Sequence, residues 1–159
     1  MLALLEDVDF SREGLAWMAL GLRALADCDG LHTAEMALIE EFERGLEIDP
    51  GNGKDFDSSG ECPLTTARER EVFVRSVQLM ALADGRISAR EQQWLDTVCD
   101  DLGISSERQG ELAREAKIFL LSSLAGVTAF RAQAEGIGRA LGLSSEDIDK
   151  ALSQQTPGL

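Results

Sequence analysis

Proline is scarce, with three in 159 residues. Long unbroken stretches of Ala, Leu, Glu and Arg accompany that scarcity of breakers, and together they predict an all-helical chain. Histidine occurs once, at position 32, so the paired Glu-x-x-His motifs of a di-iron bundle cannot be built. Cysteine is rare and odd in number: Cys28, Cys62 and Cys99, with no Cys-x-x-Cys spacing. That pattern argues against a disulfide framework and for a reducing, cytoplasmic compartment. Basic residues are outnumbered, 15 Lys and Arg against 29 Asp and Glu, for a net charge of -14. A nucleic-acid binder needs clustered cations to neutralise phosphates, so that class is excluded, and an anionic membrane surface is a poor partner. Divalent cations or a basic protein surface are what such a field attracts. Long apolar runs are missing too. The best stretch, Ile118 to Gly126, is interrupted by serines, so no membrane insertion is expected. The first ten residues lack a basic segment ahead of an apolar core, so no signal peptide is expected.

What is present is an ordinary globular balance, 44% hydrophobic and 28% charged, in a chain long enough for one domain with a core of its own. Ser11 caps a first helix through Ala26, with Leu15, Met18, Ala19, Leu22 and Leu25 at helical spacing. A second runs from about Thr33 to Leu46, with Leu38, Ile39, Phe42 and Leu46 on one face and Glu40, Glu41, Glu43 and Arg44 mostly on the other. The long segment over 49–65 is rich in Gly, Asp, Ser and Pro and reads as a loop whose only aromatic residue is Phe56. Thr66 with Glu69 forms a capping box opening a third helix striped by Phe73, Val77, Met80 and Ala81. Ser88 with Glu91 forms another, opening a fourth striped by Trp94, Leu95, Val98 and Leu102. Further helices are expected from about Ser106 to the low 120s, from Val127 to Leu141 with Phe130, Ala134 and Ile137 inward, and from Ser145 to Leu152.

Two parts of this chain repeat one another. Leu22 to Ile48 matches Leu79 to Ile104, with Ala-Leu-Ala-Asp on Ala-Leu-Ala-Asp before each turn, Phe42 on Val98, and Leu46 and Ile48 on Leu102 and Ile104. A hairpin of two helices cannot bury its apolar face alone, so two copies about a pseudo-twofold axis would share a core. The units are repeat one over about 12–48, the loop over 49–65, repeat two over about 66–105 and C-terminal helices over 106–155, in a single domain over 1–159.

The second copy carries Ala83-Asp84-Gly85, Ile87, Ser88, Glu91 and, at its helix end, Leu102-Gly103-Ile104. This pattern resembles the TerB-like family, named for tellurite resistance proteins and similar to the N-terminal domain of a membrane-anchored DnaJ-like co-chaperone. The first copy fits more loosely through Asp27, Asp29, Gly30, Leu31 and Glu35. It has one extra residue in the turn, and His32 stands where the second copy has Ser88. The likeness spans about 12–105. It implies an all-helical domain linked to metal-oxyanion and stress response, with acidic residues near the turns as metal holders.

An aspartate at a helix C-terminus faces the negative end of the macrodipole at a cost of about 0.3–1 kcal/mol, so helix stability does not explain Asp27 or Asp84. The first explanation is an Asx-turn, the carboxylate accepting N–H groups in the bend. The second is a shared site in which Asp27, Asp29, Glu35, Asp84 and Glu91 offer oxygens to calcium or magnesium across the pseudo-twofold axis. The spacing is not that of an EF-hand, because the ligand positions after Gly30 fall on Leu31 and Leu38. His32 reads as an exposed turn residue. Cys28 sits among carboxylates that raise its pKa, Cys99 reads as a small core residue, and Cys62 as exposed in the loop. Asp100 and Asp101 read as a solvated helix face. Trp94 is expected in the core and Trp17, at the edge of its stripe, as an interface anchor. Three functions stay open: a non-catalytic interaction or cation-binding module, a metal-dependent enzyme or metal-oxyanion handler using the same carboxylates, and a structural domain that self-associates into a homo-oligomer.

Overall fold

The computed structural model describes residues 5, 8–28, 30, 33–48, 55–82, 86–125 and 133–153. Among them are the helices α1 (Arg12–Ala26), α2 (Thr33–Gly45), α3 (Ala67–Ala81), α4 (Ala89–Asp101), α5 (Ser106–Ala125), α6 (Ala134–Ala140) and α7 (Ser145–Ser153), and no strand among the described residues. The all-helical expectation therefore holds. None of these helices is long and apolar enough to cross a membrane. The expected start of the sixth helix, with Phe130, lies outside the described residues, as do 49–54 of the loop.

Helix starts follow the caps. Ser11 Oγ accepts from the Gly14 N–H at 2.9 Å. In α3, Thr66 Oγ1 accepts from the Glu69 N–H at 3.1 Å while Glu69 Oε2 accepts from the Thr66 N–H at 2.7 Å. Ser88 and Glu91 repeat this reciprocal pair at 3.2 and 2.7 Å. Each satisfies donors that the first helical turn leaves without a partner.

Buried apolar residues of the described chain gather in two main clusters, with a small third one made by Leu79 of α3 and Ala116 of α5. Met18, Leu22 and Leu25 of α1, Ile39 and Phe42 of α2, Val72, Phe73, Val77 and Met80 of α3, and Leu95 and Val98 of α4 all bury into one cluster, which Leu112 of α5 also enters. Leu121, further along α5, belongs to a second and smaller cluster with Ala134, Leu143, Ile148 and Ala151. The 20-residue α5 is thus the beam joining the four N-terminal helices to α6 and α7. Leu15, Leu38, Leu46 and Trp94, expected inside, lie half-buried at the rim of the larger core.

Three helices end in the same way. Ile104 N–H returns to Cys99 O at 2.8 Å, Leu143 N–H to Gly138 O at 3.0 Å and Ile48 N–H to Glu43 O at 3.0 Å. The residue before each of these is left-handed: Gly103 at φ +71°, Gly142 at φ +73°, and Glu47 at φ +51°. Glycine adopts that conformation freely. In an ordinary residue it costs about 1–2 kcal/mol. Glycine's greater freedom in the unfolded chain returns about 0.4–1 kcal/mol of that. Glu47→Gly is therefore expected to stabilise the protein by about 0.5–1 kcal/mol, read as a rise in urea midpoint at unchanged slope. The Arg12 contact would survive, because it is made to the Glu47 backbone oxygen.

Ion pairs tie α5 to its neighbours. Arg108 reaches Glu71 of α3 with two hydrogen bonds, at 2.8 and 2.9 Å, and also Glu111 at 2.6 Å and Glu115 at 3.2 Å. Arg75 reaches Glu115 at 3.2 Å. Arg114 grips both oxygens of Asp147 at the start of α7, and Ser144 Oγ donates to the same carboxylate at 2.8 Å. The Arg114 guanidinium, then the Ser144 hydroxyl, hold the Asp147 carboxyl down at about 2 against an ordinary 3.8. A depressed carboxyl stabilises the fold fully above its unfolded pKa and ceases to do so as pH falls through the folded one. Docking of α7 is accordingly expected to hold at pH 5 and to loosen between about pH 4 and 2. Carboxyl carbon NMR should give Asp147 a midpoint near 2, with the α7 amides losing protection relative to their intrinsic exchange rates over the same window.

Candidate functional site

The first location of interest is the bend after α1. Asp27 is exposed, and its N–H closes the helix on Arg23 O at 3.0 Å. The N–H at position 29, which an Asx-turn at Asp27 would use, lies outside the described residues. The charge of Asp27 acts on Arg23, whose guanidinium is held above its ordinary range first by the hydrogen bond to Glu43 and more weakly by the charge of Asp27. Two hydrogen bonds of 2.7 Å join Arg23 to Glu43 on α2. Asp29, His32 and Asp84 lie outside the described residues.

The two remaining members of the carboxylate set, Glu35 and Glu91, are each 3% exposed. Their burial has a pattern. The buried acids among the described residues are Glu35, Glu69, Glu91 and Asp147, and each occupies the third position of its helix. Three of the four share reciprocal hydrogen bonds with the capping residue. That position places a carboxylate over the positive end of the helix with donors to accept from. Capping thus accounts for the burial of Glu91 without a ligand. Asp27, Glu35 and Glu91 do not converge into a metal-holding group among the described residues.

A side chain from the start of α4 reaches the end of α1. Arg90, in the first turn of α4, donates to Cys28 O at 3.5 Å across 62 positions of sequence. Cys28 is half-buried, its thiol directed at Ala24 O at 3.4 Å. The other thiols are also at least half-covered. Cys99 is 1% exposed, and burial, then Asp96 and Asp100, push its pKa up to about 12. Cys62, expected exposed, is half-buried because its loop folds back against α1 and the larger core.

The second location was not foreseen as a site. Phe56 leaves the connecting loop and inserts between α1 and α4, its ring centroid 4.6 Å from Trp17, 5.4 Å from Trp94 and 6.0 Å from Phe73. Trp17 also meets Phe73 at 4.9 Å. Beneath them α1 carries Gly21, where a Cβ would stand 2.5 Å from Phe73 Cζ and 2.9 Å from Phe56 Cε2. The loop is pinned beyond its aromatic plug as well. Trp17 Nε1 donates to Asp57 O at 3.2 Å, and Ser58 Oγ donates to Asp101 Oδ2 at 2.5 Å. Asp57 Oδ1 accepts from the Ser59 hydroxyl, Ser59 N–H and Gly60 N–H at 2.8–3.2 Å, which keeps its carboxyl below the ordinary range.

On each side of this loop the surface is concave. One cavity of about 530 Å³ lies between Phe56, Trp94 and the polar face of α4, with Arg90 and Asp101 in its wall. The other, about 330 Å³, runs along α1, floored by Trp17, Leu20 and Pro63 and rimmed by Glu13, Asp55, Asp57 and Glu61. Trp17, expected as an anchor for a partner, gives one part of its ring to Phe56 and Phe73 and another to this groove. The signal that could have located the site is a lone aromatic in a polar loop, together with a glycine inside the buried stripe of α1. No family model, curated protein or solved structure matches the chain.

Proposed function

We propose that the protein is a non-catalytic interaction module of the TerB-like kind, acting in tellurite or stress response, whose acidic surface takes a basic protein partner. The observation that carries this reading is how the cations are used. Arg23, Arg75, Arg108 and Arg114 are each committed to carboxylates of this same chain. The charge of -14 is therefore presented outward, on residues such as Asp27, Glu41 and Asp100, which are exposed and make no ion pair among the described residues. A surface of that kind steers a positively charged partner into encounter and selects against anionic ones.

The second reading is a divalent-cation site, calcium or magnesium, made by Asp27, Asp29, Glu35, Asp84 and Glu91. It is favoured by the Arg90–Cys28 contact, which brings the start of α4 to the end of α1. Calorimetry with calcium, magnesium, manganese and zinc separates the two. Saturable heat that vanishes in the Asp27→Asn, Asp84→Asn double variant would move the function to the cation. The interaction reading predicts no heat at millimolar metal, together with salt-sensitive binding of lysine- and arginine-rich peptides.

A further inference from the structure

We infer that the groove between α1 and the loop over 55–63 is the docking site for an extended, basic segment of a partner protein. This rests on the interaction reading above and gives it a location. The groove has an apolar floor at Trp17 and Leu20 and a rim of Glu13, Asp55, Asp57 and Glu61. All four rim residues are exposed and make no ion pair among the described residues. Other concave surfaces carry their own cations: Arg90 in one, Arg70 and Arg108 in another, Arg75 and Lys150 in a third. Among the described residues, this one is lined by four carboxylates and no cation.

The chemistry of the occupant follows from spacing and surface type. The carboxylates do not gather into a group that could hold a metal ion among the described residues, so a single ion does not satisfy them. A chain bearing several separated cations does. Lysine and arginine have apolar stems that lie along an apolar floor while their charged ends reach a polar rim, which is the arrangement of this groove. Its wall is set before binding, because the Asp57 turn is closed by Ser59 and Gly60 and tied to Trp17. A preformed wall reduces the ordering cost of association.

The test uses the full chain and a fluorescein-labelled nine-residue peptide alternating lysine and leucine, with a glutamate-for-lysine twin as control. The lysine peptide should bind and shift the Trp17 indole N–H resonance, and the twin should not. Glu13→Gln with Asp55→Asn and Glu61→Gln should weaken binding about tenfold at unchanged melting temperature. Removing the same three charges elsewhere, by Glu40→Gln, Glu41→Gln and Asp100→Asn, should weaken it less than about threefold. Equal weakening by both triple variants would overturn the groove while leaving a generally acid-driven interaction in place. No binding by the unaltered chain would overturn the groove and count against that interaction as well. Lys54→Gln should leave affinity unchanged, and a tightening beyond about threefold would make the chain's own lysine the occupant and overturn the proposal.

Discussion

Phe73→Ala is expected to cost about 3–5 kcal/mol, the range for deleting a fully buried aromatic ring whose surroundings collapse only in part. Phe73 is 0% exposed and stands where α1, α3 and the connecting loop meet. Its removal leaves Trp17 and Phe56 facing a void that neither can fill, since Trp17 is held through Asp57 O and Phe56 also meets Trp94. A protein of ordinary stability, about 5–15 kcal/mol, loses a large share of it. Urea unfolding should show the midpoint falling at nearly constant slope. Phe56→Ala, half-buried at the top of the same stack, should cost distinctly less.

Gly21→Ala is the companion experiment, and its sign is informative. In an exposed helix interior this change stabilises by about 1 kcal/mol. Here the new methyl would stand 2.5 Å from Phe73 Cζ and 2.7 Å from Phe73 Cε2, against a ring that is wholly enclosed. Overpacking of this kind costs about 1–3 kcal/mol, so it offsets the propensity gain, and the variant is expected to be less stable than the parent. Two further measurements close the cycle. With Phe73→Leu in place the penalty of Gly21→Ala should shrink, because the shorter side chain vacates the contested space. A midpoint that rises in Gly21→Ala alone would mean that α1 and α3 do not approach as closely as described.

Local chemistry made much of the fold legible. Ser11, Thr66 and Ser88 announce their helices because a cap acts within three residues, and the Glu69 and Glu91 boxes formed as the spacing required. The inward stripes were readable for the same reason: helical periodicity is a property of the segment alone. Long-range consequences were not readable. Nothing near Phe56 says that its ring will reach Trp17 and Trp94, 39 and 38 positions away. Arg108 looks like any surface arginine until α3 delivers Glu71. Glu47 hides a left-handed turn because glutamate does not advertise one, and its alignment opposite Gly103 was the only sign. Glu91 was legible for the same reason as the other caps: its Oε2 accepts from the Ser88 N–H at 2.7 Å, as the spacing of the two residues required.

The account depends on α1 to α4 sharing one core, so that the end of α1 lies beside the start of α4. A nitroxide attached at Arg90→Cys, with Cys28, Cys62 and Cys99 replaced by serine or alanine, tests this directly through paramagnetic broadening of amide resonances. The account predicts strong broadening from Ala26 to position 28, beside the observed Arg90–Cys28 contact, with Glu13 and Leu15 at the far end of α1 much less affected. Sharp resonances at 26–28 with broadening at Glu13 and Leu15 would contradict it.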